Sequence, residues 1–595
     1  MSDGLSDVAE FPWGERLEER ARESAGAAPG PAACDSSVYL DIAERIVRAA
    51  AAWQGPTGAI IDPNTGEEWS HTSPRYASAV APLVAAGRCE DLVESCARCL
   101  DASCRAIAEE EGGSTDFWPR DLALAIECLE GKVDAGRSAE WRRLLGGYDP
   151  QHTYRYVTSK VEPKDIHNWC IYSLTGEQMK RRLGIADNLD FIEDHLETQR
   201  PRFTAAGMYR DPNCPTTYDL TVRQNLGMLL RYGYDGRHCE FVDEMLRRGG
   251  LAQLFFQSTT GEMPFGGRSN QFHHVEAMAV CTAEHEASRY AALGDAALAG
   301  AFKRSARRAA AATLRWQLEA EPFRHIKNMF DPAELHGCDS YGHLSVYSLL
   351  AADLFAYAGL IADESIEEGA APCDAGGFVL PVLDDFHRVF ASCGPLHLQI
   401  DTCGQAGFDA TGLGRLHHRD RPSETALSVG IVPKPHYRTS EKAHAEAVAI
   451  GPCWRGPGGE WRSLAGEQPR AADVEILEES PSRAAFRVRY DADRQVVEEY
   501  VLTPEGLEVS ASVGAGPVRL TVPLIVTDGE ATSSVREEAH AFVMEYRGIT
   551  LRVEVLDEDA TCGRLGVQAP NRNGIYDVGC FERAAAKIRA RLSFL

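Results

Sequence analysis

Positive charge is scarce in this chain: 61 Lys and Arg stand against 88 Asp and Glu, a net charge of −27 over 595 residues. That balance argues against nucleic acid or an anionic membrane as the main partner, although local arginines decide an anion site more than net charge does. Long apolar runs are missing as well, and none is read as approaching the length of a membrane span. Residues 1–33 are acidic and rich in Ala, Gly and Pro, without the basic and apolar regions of a secretory signal, so a cytoplasmic protein is expected. The 17 cysteines are an odd number scattered mostly within helical stretches, which fits a reducing compartment better than a disulfide framework. Cys96 and Cys99, with Cys104 nearby, form a C-x-x-C, but no partner pair accompanies it and 91–109 reads as one amphipathic helix. Walker A, G-x-S-x-G, H-E-x-x-H and H-x-x-E-H patterns are all absent. The glycines of 408–418 lack the strand–turn–helix context of a dinucleotide fingerprint. Phosphoryl transfer and serine-hydrolase chemistry therefore start low.

What is there is organised in two textures. The length calls for two or three domains. From residue 36 to about 366 the pattern predicts helix after helix, including 39–53, 91–109, 122–129, 169–183, 220–232, 274–293, 297–318 and 344–361. Helical hairpins with functional loops at one end suggest an α/α toroid, and an α-solenoid shares that periodicity. Beyond 367–377 the alternation predicts antiparallel strands at 485–490, 496–501, 506–513, 518–526 and 550–555. Helices followed by strands give an α+β multidomain chain. Its expected parts are a mobile N-terminal segment over 1–35, a helical domain over 36–370 and a strand domain over 371–595.

Three helix entrances carry chemistry suited to gripping an anionic sugar. The loop 207–219 ends in Tyr218 and Asp219, its Pro212 and Pro215 restricting the backbone ahead of a helix. Tyr218 is read as a proton donor or base, against a packed aromatic; Asp219 as a second catalytic group, against a helix N-cap. His167-Asn168-Trp169 combines an indole able to stack on a sugar ring with two hydrogen-bonding groups. In 266–274, paired glycines admit a ligand to the backbone and Arg268 suits bidentate binding of a carboxylate, with Asn270, His273, His274 and Glu276 as further polar groups. His273 and Glu276 are three apart, as a metal pair would be, but no third ligand is evident and no metal is predicted. Asp116 is a further carboxylate acid or base, or an ordinary helix start. His336, Asp339, Tyr341 and His343 precede the last long helix as further site residues.

With these segments the chain from about Ser36 onward resembles the heparinase II/III-like carbohydrate-active enzymes, an incomplete α/α toroid followed by an antiparallel β-sandwich. The loop ending Pro215-Thr216-Thr217-Tyr218 is similar to that superfamily's loop delivering a catalytic Tyr, His167-Asn168-Trp169 to its Asn-Trp entrance, and the His417-His418 region to its histidine-bearing sandwich segment. The resemblance implies β-elimination at a uronic acid in an oligosaccharide, and exo action is expected because no export signal is visible and intact polysaccharide does not enter the cytoplasm. Asn168 and Arg268 would hold the carboxylate, His167 or His273 would take the C5 proton, and Tyr218 would act as base or as acid to the leaving oxygen. A phenol's ordinary pKa of about 10 is high for a base, so Arg223 or Arg210 is expected to lower it. Asp219 beside Tyr218 keeps open a glucuronidase-type hydrolase using two carboxylates drawn from Asp116, Asp219, Glu262 and Glu276. No cofactor is expected, and the sandwich histidines lack the G-H-x-H spacing that would support a divalent metal there. Homo-oligomerisation is left open.

Overall fold

The structure is a computed structural model that describes residues 8–27, 30, 34–69, 71–109, 115–162, 165–384, 386–440, 446–492 and 494–595. It divides into two compact units: Met1–Leu254, Phe272–His325 and Gly342–Gly369 form one, and Phe255–Gln271, Ile326–Tyr341 and Ala370–Leu595 form the other. Two segments that lie within 36–370 thus group with the strands.

Among the described residues of the first unit six inner helices pack in a closed cycle. They are Thr72–Ala85, Trp118–Cys128, Asn168–Arg182, Thr216–Arg231, His273–Ala292 and Leu344–Ile361, the last packing back on the first. Outer helices cover them: Ser37–Ala51, Val93–Ala108, Ala135–Gly146, Leu189–Gln199 and Ala296–Ala311 each pack on one or two inner helices. This is the expected toroid, and burial accounts for its two kinds of sequence. Outer helices such as Val93–Ala108 bury one stripe, whereas Thr72–Ala85 buries every residue from Thr72 to Val84. Leu344–Ile361 is long and apolar enough to cross a membrane, against the expectation that no run reaches that length, but 89% of it is buried as an inner helix. Cys96 and Cys99 point into the interior, their thiols bonded to the carbonyls of Ala77 and Ser73, and burial pushes both thiols up. All 17 cysteines are free thiols. The segment before residue 36, expected to be mobile, includes a helix over Gly14–Ala25 that packs on Ala296–Ala311 through Arg22 and Asp295. Residues 1–7, 28, 29 and 31–33 lie outside the described residues.

Among the described residues the second unit holds three antiparallel sheets, of four, eight and five strands. The four-stranded sheet runs in chain order, Phe378–Val382, Arg388–Cys393, Leu396–Asp401 and Gly412–His418. In the eight-stranded sheet Gly506–Ser512 pairs with Gln495–Thr503 on one side and with Lys587–Phe594 on the other. In the five-stranded sheet Val518–Thr527 lies between Gly451–Arg455 and Ile575–Arg583. One hydrophobic core joins inward residues of all three, among them Leu398, Tyr500 and Leu520. Strand Gln495–Thr503 buries alternate residues, Val496, Glu498, Tyr500 and Leu502, as a one-sided strand does. Glu498 is the exception to apolar filling; desolvation pushes its carboxyl up to about 7, with the Tyr500 and Tyr490 hydroxyls pulling the other way.

Candidate active site

The inner helices begin at one rim of the ring. Trp69 stacks on His343 with centroids 3.8 Å apart, His71 meets Phe117 edge-on at 4.7 Å, and Phe117 meets Trp169 and Tyr172 at 6.1 and 4.7 Å. Asn168 is bonded to Asp211, just ahead of Thr216–Arg231, and Phe272 lies edge-on to Tyr347 at 4.6 Å. These contacts tie together the N-terminal ends of all six inner helices. Each end also brings the positive pole of a helix dipole to this rim.

At the entrance of Asn168–Arg182, His167 is the half-buried N-cap, Asn168 is buried, and Trp169 is 40% exposed. Asp211 accepts from the Asn168 backbone N at 3.3 Å and from Nδ2 at 2.9 Å, which fixes the amide's orientation. The loop delivering Asp211 turns through Asn213 and Cys214 at φ +66° and +45°, a left-handed pair that non-glycine residues seldom adopt.

Tyr218 is the third residue of Thr216–Arg231 and is half-buried, whereas Thr216, Thr217, Asp219 and Leu220 are buried. Asp219 faces the interior, where its carboxylate accepts from Tyr209 N at 2.7 Å, Gln253 Nε2 at 2.7 Å and Arg223 Nη2 at 3.0 Å. The Arg223 guanidinium also donates to the carbonyls of Gly207, Met245 and Leu246. Gly207, at φ +72°, sits where a Cβ would meet Met245 O at 2.5 Å, so only glycine fits this crossing. Arg210 donates to the carbonyls of Pro201 and Arg202. Asp219 and Arg223 thus form an internal clamp beneath the Tyr218 loop.

The entrance of His273–Ala292 is unlike the other two. His273, His274 and Glu276 are buried; His273 lies 5.4 Å from the Trp316 ring and His274 is 4.3 Å from Tyr347. Asp116, in the turn Thr115–Phe117, is buried too, accepting from Arg155 N at 2.6 Å, while its Oδ2 has no hydrogen-bond partner among the described residues. Desolvation raises its carboxyl to about 6. His71 is held well below the usual imidazole range by burial and by Arg75.

Arg268, Asn270 and Tyr341 belong to the second unit, as do His336 and Asp339. There Asp409 accepts from Gly267 N at 2.7 Å, Asp339 accepts from Ser269 N at 3.1 Å, and Asn573 donates to Gln271 Oε1 at 3.0 Å. Asn270 donates to the Gly267 carbonyl, Asp339 is paired with Arg572 at 2.9 Å, and Tyr341, 40% exposed, meets Ser269 Oγ at 3.1 Å. Ser269 and Gln271 take φ of +58° and +70°, and Arg268 is the one half-exposed residue in a buried stretch from Gly261 to Glu284. Among the described residues no group of three or more His, Cys, Asp and Glu is arranged to hold a metal ion.

Sequence reading missed Trp69, His71, Asp211 and Arg155 on this rim. Asp211 stood in the quoted loop, and the Trp69-x-His71 pair had the same form as the entrances singled out. No known family's model matches the chain, and no curated protein does. Among solved structures it is similar to heparinase III, at 9% identity and a TM-score of 0.51, covering 100% of this chain and 92% of that one. It also aligns with the chondroitin AC lyase of Streptomyces coelicolor A3 in complex with chondroitin sulphate (12% identity, 98% of this chain and 82% of that one, TM-score 0.47). A third alignment is with the endoglucanase CelQ of Clostridium thermocellum complexed with cellotriose (7% identity, 93% and 92%, TM-score 0.33). The likeness to heparinase III is one of fold, helical ring first and antiparallel sheets after it.

Proposed function

We propose that this chain is a carbohydrate-active enzyme that cleaves a glycosidic linkage at a uronic acid of an oligosaccharide by β-elimination, exo-acting and in the cytoplasm. The observation that carries the reading is the Asp211-oriented Asn168 amide beside an exposed Trp169, on the same rim as a half-buried Tyr218. One Asn168 N–H engages Asp211, and the amide's second N–H serves the C6 carboxylate of a sugar stacked on Trp169. Neutralising that carboxylate makes the C5 proton acidic; His167, half-buried at the rim, takes it in place of the buried His273. As the C4–O4 bond breaks and C4=C5 forms, Tyr218 donates its proton to O4. Asp219 and Arg223 act through position, holding the loop from which Tyr218 emerges.

A hydrolytic reading is favoured by one observation, the buried Asp116 carboxyl raised to about 6, which is the condition a general acid needs. Ultraviolet absorbance of a conjugated unsaturated uronate, followed across glucuronate, iduronate, galacturonate and alginate oligosaccharides, tests the primary reading. Its growth with time is the expected result. Cleavage of any of these without it would replace elimination by hydrolysis.

A further inference from the structure

The segment ahead of residue 36, expected to be mobile, is tied to the loop that delivers Tyr218. Helix Gly14–Ala25 buries Leu17, Ala21 and Ser24, and Gly14 lies where a Cβ would come within 2.8 Å of the Phe11 ring, so its bare backbone lets Phe11 fold back on the helix start. Phe11 sits beside two consecutive arginines of helix Cys239–Phe256, the guanidinium carbons of Arg247 and Arg248 lying 6.0 and 5.6 Å from its centroid. Arg247 donates to Glu18 at 2.6 Å, and Arg22 to Asp295 at 2.9 Å. Arg248 is buried and joins three places: its Nε donates to Glu244 at 2.7 Å, and its Nη1 to the carbonyls of Ala9 at 2.6 Å and Ala205 at 2.8 Å. The planar guanidinium fork suits such bridging, and a lysine ammonium does not reproduce it. Ala205 belongs to a turn in which Phe203 and Tyr209 are bridge-paired and Thr204 N donates to Met208 O at 2.8 Å. Gly207 of that turn rests on the arginine's stem, for a Cβ there would lie 2.8 Å from Arg248 Cβ. Tyr209 N then donates to the carboxylate of Asp219, the neighbour of Tyr218. Contacts thus run without a break from Ala9 to the residue beside Tyr218.

We propose that Arg248 is a positioning residue for Tyr218, and that residues 9–22 form a strap that holds Arg248 to this task. This rests on the reading of Tyr218 as the proton donor of the rim. Asn168 and Trp169 stand on a different helix, so detaching the strap slows proton transfer more than it weakens sugar binding. The strap sets turnover from outside the rim.

The test compares the full-length protein with Arg248→Ala, Phe11→Ala and a chain lacking residues 1–12, which loses Ala9 and Phe11 but keeps Arg248. Amide hydrogen exchange of the ligand-free proteins is read over residues 203–219, with Leu344–Ile361 as the internal standard, and kcat and KM are measured on a uronate oligosaccharide that the wild type cleaves. Arg248→Ala is expected to speed exchange over 203–219 about tenfold and to lower kcat about tenfold, with KM within about threefold and the standard unchanged. Phe11→Ala and the shortened chain should shift the same residues less, with kcat down about threefold. If Arg248→Ala fails to fold, these two decide. Unchanged exchange over 203–219, acceleration spread equally over the helical unit, or a loosened 203–219 with kcat unaltered overturns the proposal. A wild type that forms no unsaturated product from any uronate chain overturns elimination instead, and the exchange shift then still decides the strap.

Discussion

The entrances of Thr216–Arg231 and His273–Ala292 look alike on paper, each a loop with polar and aromatic residues running into a helix, and they differ in what they present. At the first, Tyr218 is half-buried at the rim while its neighbour Asp219 turns inward to Arg223, Gln253 and Tyr209 N. At the second, His273, His274 and Glu276 are all buried, the two histidines against Trp316, Phe272 and Tyr347. A helix turns about 100° per residue, so adjacent positions in its first turn face different surroundings. Residue type nominates a site residue, and register against the neighbouring helices decides it.

The largest effect expected from that contrast is on stability. Asp219→Ala strands the buried Arg223 charge, and a loss of about 3–5 kcal/mol in chemical denaturation is expected; a loss below about 1 kcal/mol would remove Asp219 from the interior clamp. Tyr218→Phe should do the reverse, lowering turnover about a hundredfold or more while leaving stability within about 0.5 kcal/mol. His273→Gln sharpens the contrast, since it should destabilise but leave turnover per folded molecule within about threefold. If His273→Gln abolished turnover in a folded protein, the buried entrance would have to open during catalysis.

Asp116 supplies a change smaller than that of Asp219→Ala and of a different sign. Its folded carboxyl is raised, so the stability it contributes is complete below the ordinary carboxylate range and is lost as pH rises through about 6. Asp116→Asn keeps an acceptor for Arg155 N and removes the buried charge. It should match the wild type near pH 4 and exceed it by roughly 2 kcal/mol at pH 7 in thermal or denaturant unfolding. Retained cleavage in this variant fits elimination; a folded variant without cleavage would favour Asp116 as the acid of a hydrolase.

Much of the fold was legible because outer helices and one-sided strands advertise their buried face. Val93–Ala108 buries one stripe and Gln495–Thr503 alternates, and both are found by period alone. The inner helix Thr72–Ala85 escaped because it is buried all round and carries Pro74 and Pro82, which read as breakers. For the site, His167-Asn168-Trp169 and Tyr218 were legible as local clusters at helix starts. Asp211's hold on Asn168, the pairing of Asp219 with Gln253, and Arg155 over Trp169 join residues 14 to 43 positions apart in the chain, and no local pattern encodes them. The membership of Phe255–Gln271 and Ile326–Tyr341 in the strand-rich unit is of the same kind: it is decided by partners such as Asp409, Arg572 and Asn573, far along the sequence.

The most direct test of the central claim is the mass of the two products released from a defined uronate oligosaccharide by the wild-type enzyme. Elimination predicts product masses that sum to the substrate's, with the unsaturated sugar at the new non-reducing end and no such products from Tyr218→Phe. Products whose summed mass exceeds the substrate's by one water would contradict it.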